Sequence, residues 1–300
     1  MVYTVTFNPA IDYVVHLPVL AAGEVNRSSS EQMYFGGKGI NVSAVLRELS
    51  VPNAALGFIA GFTGEAIEKG LKESGISCDL VKLKSGNSRI NVKIKVDGET
   101  EINGQGPDIG AEAIEELFLK LDRLTDGDIL VLAGSIPKSL PEDIYEQILR
   151  RLSGKDIMAV VDATGSLLRK VLPYRPFLVK PNDKELGELF GVTVGSKEEA
   201  ARYAKELQGI GARNVLVSMA GEGAVLCCED GSVHMSGVCK GTVRNSVGAG
   251  DSMVAGFIAG YLQKKDMGYA LKLGTAAGGA TAFSDGLADR ETIFRLLGEL

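Results

Sequence analysis

From about residue 110 onward, short apolar runs alternate with longer amphipathic ones. Ile129–Ala133, Met158–Val161, Phe177–Val179 and Val215–Val217 are brief and aliphatic, the pattern of strands buried on both faces of a parallel sheet. Between them, Pro141–Leu152 opens with Pro-Glu-Asp and sets Ile144, Ile148, Leu149 and Leu152 on one helical stripe. Lys197–Leu207 does the same with Ala200, Tyr203, Ala204 and Leu207. The alternation predicts β-α-β units, and so an α/β fold with a central parallel sheet and helices on both faces.

Two earlier segments depart from that rhythm. Arg89–Val96 alternates apolar with polar, Asp97-Gly98 supplies a hairpin turn, and Glu99–Ile102 returns, which predicts an antiparallel hairpin. Tyr13–Leu17 and Gln32–Phe35 are its expected partners in a small β lid at one edge of the parallel sheet. No internal repeat or Pro/Ser-rich linker interrupts the chain. The expectation is one α/β domain over residues 1–300, with the lid formed by insertions within about 12–36 and 88–104.

Composition adds one unusual feature. The chain has 38 glycines in 300 residues, well above the usual ~7%, and they cluster without a fixed period, which suggests close backbone approach to some partner group. A net charge of −6 and the absence of any basic run argue against a nucleic-acid partner. The longest stretch free of charge, Leu49–Gly64, is broken by Pro52, Asn53 and Thr63, so no membrane span is expected. No basic residue precedes Arg27, unlike a secretory signal, and a cytoplasmic protein is expected. Cys78, Cys227, Cys228 and Cys239 have no C-x-x-C spacing, and His16 and His234 are the only histidines. A zinc site and a histidine-based nucleophilic machine are therefore disfavoured.

The sharpest motif is Val247-Gly248-Ala249-Gly250-Asp251-Ser252, leading into the amphipathic run Met253–Leu262. Unpaired amides at such a helix start suit an anion, and Asp251 would sit beside it; an ordinary strand-to-helix turn with a dipole-complementing Asp251 has the same residues. Tyr34-Phe35-Gly36-Gly37-Lys38-Gly39-Ile40-Asn41-Val42 is a second glycine cluster, running into a helix expected over Val42–Leu49. Neither motif has Walker A or G-x-G-x-x-G spacing. Flanking glycines strip cover from Lys38 and make it a candidate phosphate or hydroxyl contact.

These two motifs, with Asn8-Pro9-Ala10-Ile11-Asp12, Gly134-Ser135-Ile136-Pro137, Lys180-Pro181-Asn182-Asp183-Lys184-Glu185 and Ser218–Gly223 in order between or before them, resemble the ribokinase-like (PfkB) carbohydrate kinases, specifically the phosphosugar branch. The resemblance spans essentially the whole chain. It implies a ribokinase-like fold and ATP with Mg2+ as cofactors. It makes Asp251 the base that takes the proton of the sugar hydroxyl, with Gly248, Ala249 and Gly250 as the anion hole. Positioning counts for more than basicity in a loose phosphoryl-transfer transition state, so no histidine is needed.

By the same resemblance Asp12, Gly37, Lys38 and Asn41 contact the sugar, and Arg89 grips the phosphate already on the substrate, helped by Lys38, with Asn103 a further contact. Lys180, Asn182, Ser218, Gly223, Ser246, Val247, Gly248 and Gly250 are implied to bind nucleotide, and Glu185 of the Asn-x-x-Glu motif to bind magnesium. A helix-start Glu complementing the dipole is the other reading of Glu185. The family pattern has glycine two residues after the serine; Ala220 stands there instead, with glycine one place later at Gly221, so only Ser218 and Gly223 are carried over. Gly274–Thr281 resembles the adenine-side helix, or else is a helix packed tightly on the sheet.

The segments Arg89-Ile90-Asn91-Val92-Lys93 and Glu101-Ile102-Asn103-Gly104 resemble most the family members that turn fructose 1-phosphate into fructose 1,6-bisphosphate, with tagatose 6-phosphate kinases as the alternative. A noncatalytic sugar-phosphate sensor and a kinase for an unphosphorylated sugar are the other classes considered. The first conflicts with the intact Asp251 motif; the second leaves Arg89 without a partner. The lid's exposed sheet face implies a homodimer.

Overall fold

A computed structural model describes residues 1–300. In chain order the strands are β1 (Val2–Thr6), β2 (Ala10–His16), β3 (Ser30–Gly36), β4 (Asn53–Ile59), β5 (Cys78–Lys82), β6 (Arg89–Lys95), β7 (Glu99–Asn103), β8 (Ile129–Ala133), β9 (Met158–Asp162), β10 (Leu178–Val179), β11 (Asn214–Ser218), β12 (Ala224–Cys227) and β13 (Val233–Ser236). The helices are α1 (Lys38–Glu48), α2 (Gly61–Glu73), α3 (Ala111–Leu121), α4 (Ile144–Leu152), α5 (Gly165–Val171), α6 (Asp183–Phe190), α7 (Lys197–Ile210), α8 (Ala249–Lys264), α9 (Met267–Ala282) and α10 (Arg290–Leu297).

Nine strands form one sheet in the order β13-β12-β11-β10-β9-β8-β1-β4-β5. Seven of them, from β11 to β5, run parallel, and β12 and β13 add an antiparallel edge that the sequence pattern had not suggested. Their alternation sorts side chains to two cores. Leu130, Leu132, Val215 and Val217 pack with α3, α4, α6 and α7 on one face, through Leu117, Ile148, Leu186 and Leu207. Ile129, Val131 and Leu216 pack with α1, α8, α9 and α10 on the other, through Val45, Phe257, Leu273 and Ile293. Because both faces are covered, the strands are continuous apolar runs, which is why the pattern marked them.

The chain leaves β1 toward β4 and β5 on one side and later returns to β8, β9, β10 and β11 on the other. The sheet therefore has its switch point between β1 and β8, where the crevice at the carboxyl ends of the strands opens.

The lid is a separate four-stranded sheet in the order β3-β2-β6-β7. The β6–β7 hairpin turns at Asp97-Gly98 as expected, with Lys95 opposite Glu99. β2 pairs antiparallel with β3 but parallel with β6, Asp12 lying beside Asn91. The parallel pairing is possible because β2 and β6 belong to separate excursions from the main body, not to one hairpin.

Some boundaries differ from the expected ones. α1 begins at Lys38 rather than Val42, so Gly39 lies inside the helix. A Cβ at Gly39 would stand 2.6 Å from Thr6 Oγ1 and 2.7 Å from the Val5 carbonyl, so glycine lets the first turn lie against β1. α4 starts at Ile144, after a turn in which Pro141 accepts from the Ile144 amide. Gly274 and Gly278 face α8, not the sheet, a Cβ at Gly274 coming within 2.9 Å of the Met253 carbonyl, while a Cβ at Gly279 would stand 2.9 Å from Cys239 Sγ.

The α8–α9 contact yields a test. A Cβ at Gly256 would lie 2.5 Å from the Leu273 carbonyl and 2.8 Å from Ala277 Cβ. Alanine is the better helix former by about 1 kcal/mol, but overpacking costs roughly 1–3 kcal/mol. Gly256→Ala is expected to lower the urea midpoint; an unchanged or higher midpoint would refute this account of the contact.

Candidate active site

A cleft of about 660 Å³ lies at the carboxyl ends of the parallel strands, between the large sheet and the lid. It gathers Asp12, Gly37, Lys38, Asn41, Arg89, Asn103, Lys180, Asn182, Glu185, Ser218, Val247, Gly248, Gly250 and Asp251. Residues spread over 240 positions thus meet in one place. Three of the expected residues do not line it. Ala249 spends its amide on the Ser246 carbonyl at 3.2 Å. Ser246 is exposed beside it. Gly223 is required by packing: its φ is +91°, and a Cβ would meet the Ser236 carbonyl at 2.3 Å.

Gly248 caps α8 in the left-handed region at φ +80°, and a Cβ there would press on Leu287 Cδ2 at 2.8 Å. The turn is held from behind, since Ser252 Oγ donates to the Gly248 carbonyl at 2.8 Å and also meets Thr281 Oγ1 at 2.7 Å. The amides of Gly248, Gly250 and Asp251 have no backbone acceptor. Three donors at the positive end of a 16-residue helix therefore face the cleft.

Asp251, in the first turn of α8, is 5% exposed. Asn41 Nδ2 donates to its Oδ2 at 2.8 Å, fixing the carboxylate and leaving Oδ1 open to the cleft. Asn41 thus orients Asp251 while itself lining the cleft. The pKa of Asp251 is pushed up to about 7, by burial first and by the negative charge of Asp162 second; Asn41, Lys38 and Lys180 pull the other way.

Asp162, the last residue of β9, was not anticipated. Its carboxylate is 2% exposed and lies 3.3 Å from Lys38 Nζ through Oδ2 and 3.3 Å from Lys180 Nζ through Oδ1. Burial raises its pKa, but the two lysines outweigh that and hold it below the ordinary range. Lys38 stays charged in turn: burial works against it, and Asp162 and Asp251 more than compensate. An aspartate ending an apolar strand reads as a turn residue, so only the fold reveals it. Ser135, Asn91 and Lys93 also line the cleft and were likewise not singled out.

At the lid side, Asn91 Nδ2 donates to Asp12 Oδ1 at 2.8 Å, leaving Oδ2 beside Gly36, where a Cβ would stand 3.1 Å away. Arg89 Nε donates to the Asn8 carbonyl at 2.9 Å, which orients the guanidinium while its two terminal nitrogens keep their donors. Asn103 is exposed, its side chain turned to Glu101 at 3.4 Å. A second cavity of about 680 Å³ continues from Lys38, Arg89 and Ser135 to Lys138 and Ser166.

Asn182 and Glu185 form a complete capping box at the start of α6: Asn182 Oδ1 accepts from the Glu185 amide, and Glu185 Oε2 from the Asn182 amide, both at 2.8 Å. One Glu185 oxygen is therefore structural. No cluster of three or more His, Cys, Asp or Glu side chains is placed to hold a metal by itself. Ala220, where the family pattern has glycine, takes φ +44°, so the backbone keeps a left-handed residue at that place without glycine's freedom.

The arrangement is that of a phosphoryl-transfer enzyme of ribokinase-like architecture: free helix-start amides for migrating charge, a buried carboxylate beside them, and a lid-borne guanidinium across the cleft. The family model "pfkB family carbohydrate kinase" matches residues 3–292, and the chain belongs to that family. It is 48% identical over 300 residues to a 1-phosphofructokinase of Bacillus subtilis, covering 100% of this chain and 98% of the relative. It is 36% identical over 294 residues to a D-tagatose-1-phosphate kinase of Bacillus licheniformis, covering 96% and 95%. Its fold matches the crystal structure of Escherichia coli phosphofructokinase-2 in complex with substrates and products, with a TM-score of 0.94, 24% identity and coverage of 100% and 99%.

The raised pKa of Asp251 gives a stability test. A carboxylate whose folded pKa lies above its unfolded ~3.9 costs stability as pH rises from ~3.9 to about 7, and the full cost persists above that. Asp251→Asn removes the charge and keeps an acceptor for Asn41. Its gain in stability over the parent, on the order of a few kcal/mol, is expected to be larger at pH 8 than at pH 5.5 in thermal unfolding. Equal gains at both would mean that Asp251 is not held near neutrality.

Proposed function

We propose that this carbohydrate kinase transfers the γ-phosphoryl group of ATP to the carbon-6 hydroxyl of fructose 1-phosphate, giving fructose 1,6-bisphosphate. The observation that carries the reading is the pairing, in one cleft, of the open Asp251 oxygen beside unpaired amides with the free guanidinium fork of Arg89 on the lid. A ketohexofuranose phosphate has a CH2–O arm at each end, so it needs a proton acceptor at one end and an anion grip at the other. The extent and identity of the likeness to the B. subtilis 1-phosphofructokinase support the same substrate. Tagatose phosphate stands as the alternative, and the D-tagatose-1-phosphate kinase relative moves its phosphate from carbon 6 to carbon 1. Fructose and tagatose differ in configuration at one ring carbon.

In this reading Asp12 and the lid hold the sugar, and Asp251 Oδ1 accepts the hydroxyl proton as the oxygen attacks the γ-phosphorus. The amides of Gly248, Gly250 and Asp251 take up the charge that develops on the migrating group, and Lys180 adds a cation above Gly250. Exclusion of water under the lid would keep it from competing as acceptor. Ser218, Asn182 and Val247 line the nucleotide side. Magnesium suits the donors present, because it keeps its waters and takes one or two carboxylates plus phosphate oxygens; Glu185, with one oxygen outside the capping box, would hold it, and the ion would neutralise phosphate charge.

The outer lid face carries Tyr13, Met33, Val92 and Ile102 in register, with Met33 56% and Ile102 58% exposed, and this supports association of two copies through their lids. No helix is long and apolar enough to cross a membrane. The four cysteines are all unpaired, as suits the reducing cytoplasm.

An ADP-release assay across fructose 1-phosphate, tagatose 1-phosphate, tagatose 6-phosphate, fructose 6-phosphate and ribose is expected to give the highest kcat/KM for fructose 1-phosphate. A lead for ribose or fructose 6-phosphate would overturn the assignment. Arg89→Ala should raise KM for the sugar phosphate with little change in kcat, whereas an unchanged KM would point to a neutral substrate. Asp251→Asn should lower kcat by on the order of 10² to 10⁴. In the parent, kcat should rise with pH through about 7, as the carboxyl ionises.

A further inference from the structure

The grip on phosphate was expected to be shared by Arg89 and Lys38, yet Lys38 Nζ lies 3.3 Å from Asp162 Oδ2. The other oxygen of the same carboxylate faces Lys180 Nζ at 3.3 Å. The two lysines come from unrelated parts of the chain. Lys38 opens α1 just after the lid strand β3, and Lys180 follows β10, the neighbour of β9 in the large sheet. Lys180 is 5% exposed and Asp162 2%, whereas Lys38 is 43% exposed and reaches into both cavities. The Lys180 ammonium is also placed beside the anion-holding turn, 3.3 Å from where a Cβ on Gly250 would stand.

We propose that Asp162 is a positioning residue for phosphoryl transfer: one buried carboxylate holds two ammonium groups, one per oxygen, so that cations from the lid side and from the sheet converge where the phosphoryl group crosses. The inference rests on the kinase reading above but not on which sugar phosphate is used.

Two observations favour a positioning role over a plain structural ion pair. Asp162 Oδ1 is buried with Lys180 Nζ 3.3 Å away as its charge partner, and an ammonium has three N–H groups, so donors of Lys180 remain for an incoming anion. In addition, the carboxylate lies between two cations that would otherwise repel each other. Without it Lys180 would be a buried, uncompensated charge, free to withdraw from the turn.

The sign of the effect separates this proposal from simple electrostatics. Asp162→Asn makes the cleft more positive by one charge, which alone would tighten the binding of anionic substrates. If Asp162 positions the lysines, kcat is expected to fall about 10²-fold, the scale of a misplacement near 1 Å, and the dissociation constant for ATP is expected to stay equal or rise. The measurement uses whichever sugar phosphate the parent turns over, so failure of the fructose 1-phosphate assignment leaves it intact.

A cycle completes the test. Added to a Lys38→Met, Lys180→Met background, Asp162→Asn should cost less than about threefold, because nothing remains for it to hold. An unchanged kcat in folded Asp162→Asn, or a full loss persisting in the lysine-free background, would overturn the proposal. Asp162→Glu keeps the charge that the lysines require for folding and moves it by one methylene. Should the asparagine variant not fold, this variant is expected to fold and to show the same fall in kcat, and parent-like turnover would equally overturn the proposal.

Discussion

Two carboxylates with almost no access to water, Asp162 and Asp251, share a cleft with two lysines, and the layout of that cleft follows from how the charges are offset. Asp162 is flanked by a cation at each oxygen and stays ionised. Asp251 has only Asn41 as a direct partner and feels the charge of its neighbour, so its proton affinity lies near neutrality. The same residue type thus has two behaviours set by surroundings alone. A group poised in that range is suited to take a proton late in a transfer and release it afterwards.

The rest of the fold serves to hold those charges still. The apolar strands β1, β8, β9 and β10 end at the cleft, so each side chain there projects from a residue whose predecessors are locked in the core. Close contact of α8 on α9, made possible by residues without side chains at the crossing, seats the first turn of α8 firmly. Ser252 and Thr281 tie that turn to the neighbouring helix from within the buried layer.

Much of this was legible in the residues. The apolar runs at Ile129–Ala133 and Val215–Val217 announced buried strands, and the Asp97-Gly98 turn announced the lid hairpin, because each is a local signal with a single reading. The two glycine clusters, together with the motifs between them, located the cleft. Asp162 escaped notice because its importance lies in what surrounds it in space: nothing in Ala159-Val160-Val161-Asp162 says that Lys38 and Lys180 will arrive there. The antiparallel edge strands β12 and β13 were missed for a similar reason, as their partners are set by sheet order rather than by local pattern. Of the α9 glycines, Gly274 and Gly278 lie against α8, a contact that the sequence alone could not distinguish from room left for a flat ring.

The lid's parallel strand pair has a consequence of its own. Asp12 and Arg89 project from β2 and β6, whereas Asp251 and Lys180 belong to the large sheet and its helices. These two sets of residues are therefore mounted on different sheets, connected by short crossings such as Phe7–Pro9 and Gly37 and by the packing of Ile11 and Phe35 against α1 and α2. The distance between them is set jointly by those crossings and by that apolar seam, so a change of volume at Ile11 or Phe35 would shift one set against the other without touching either.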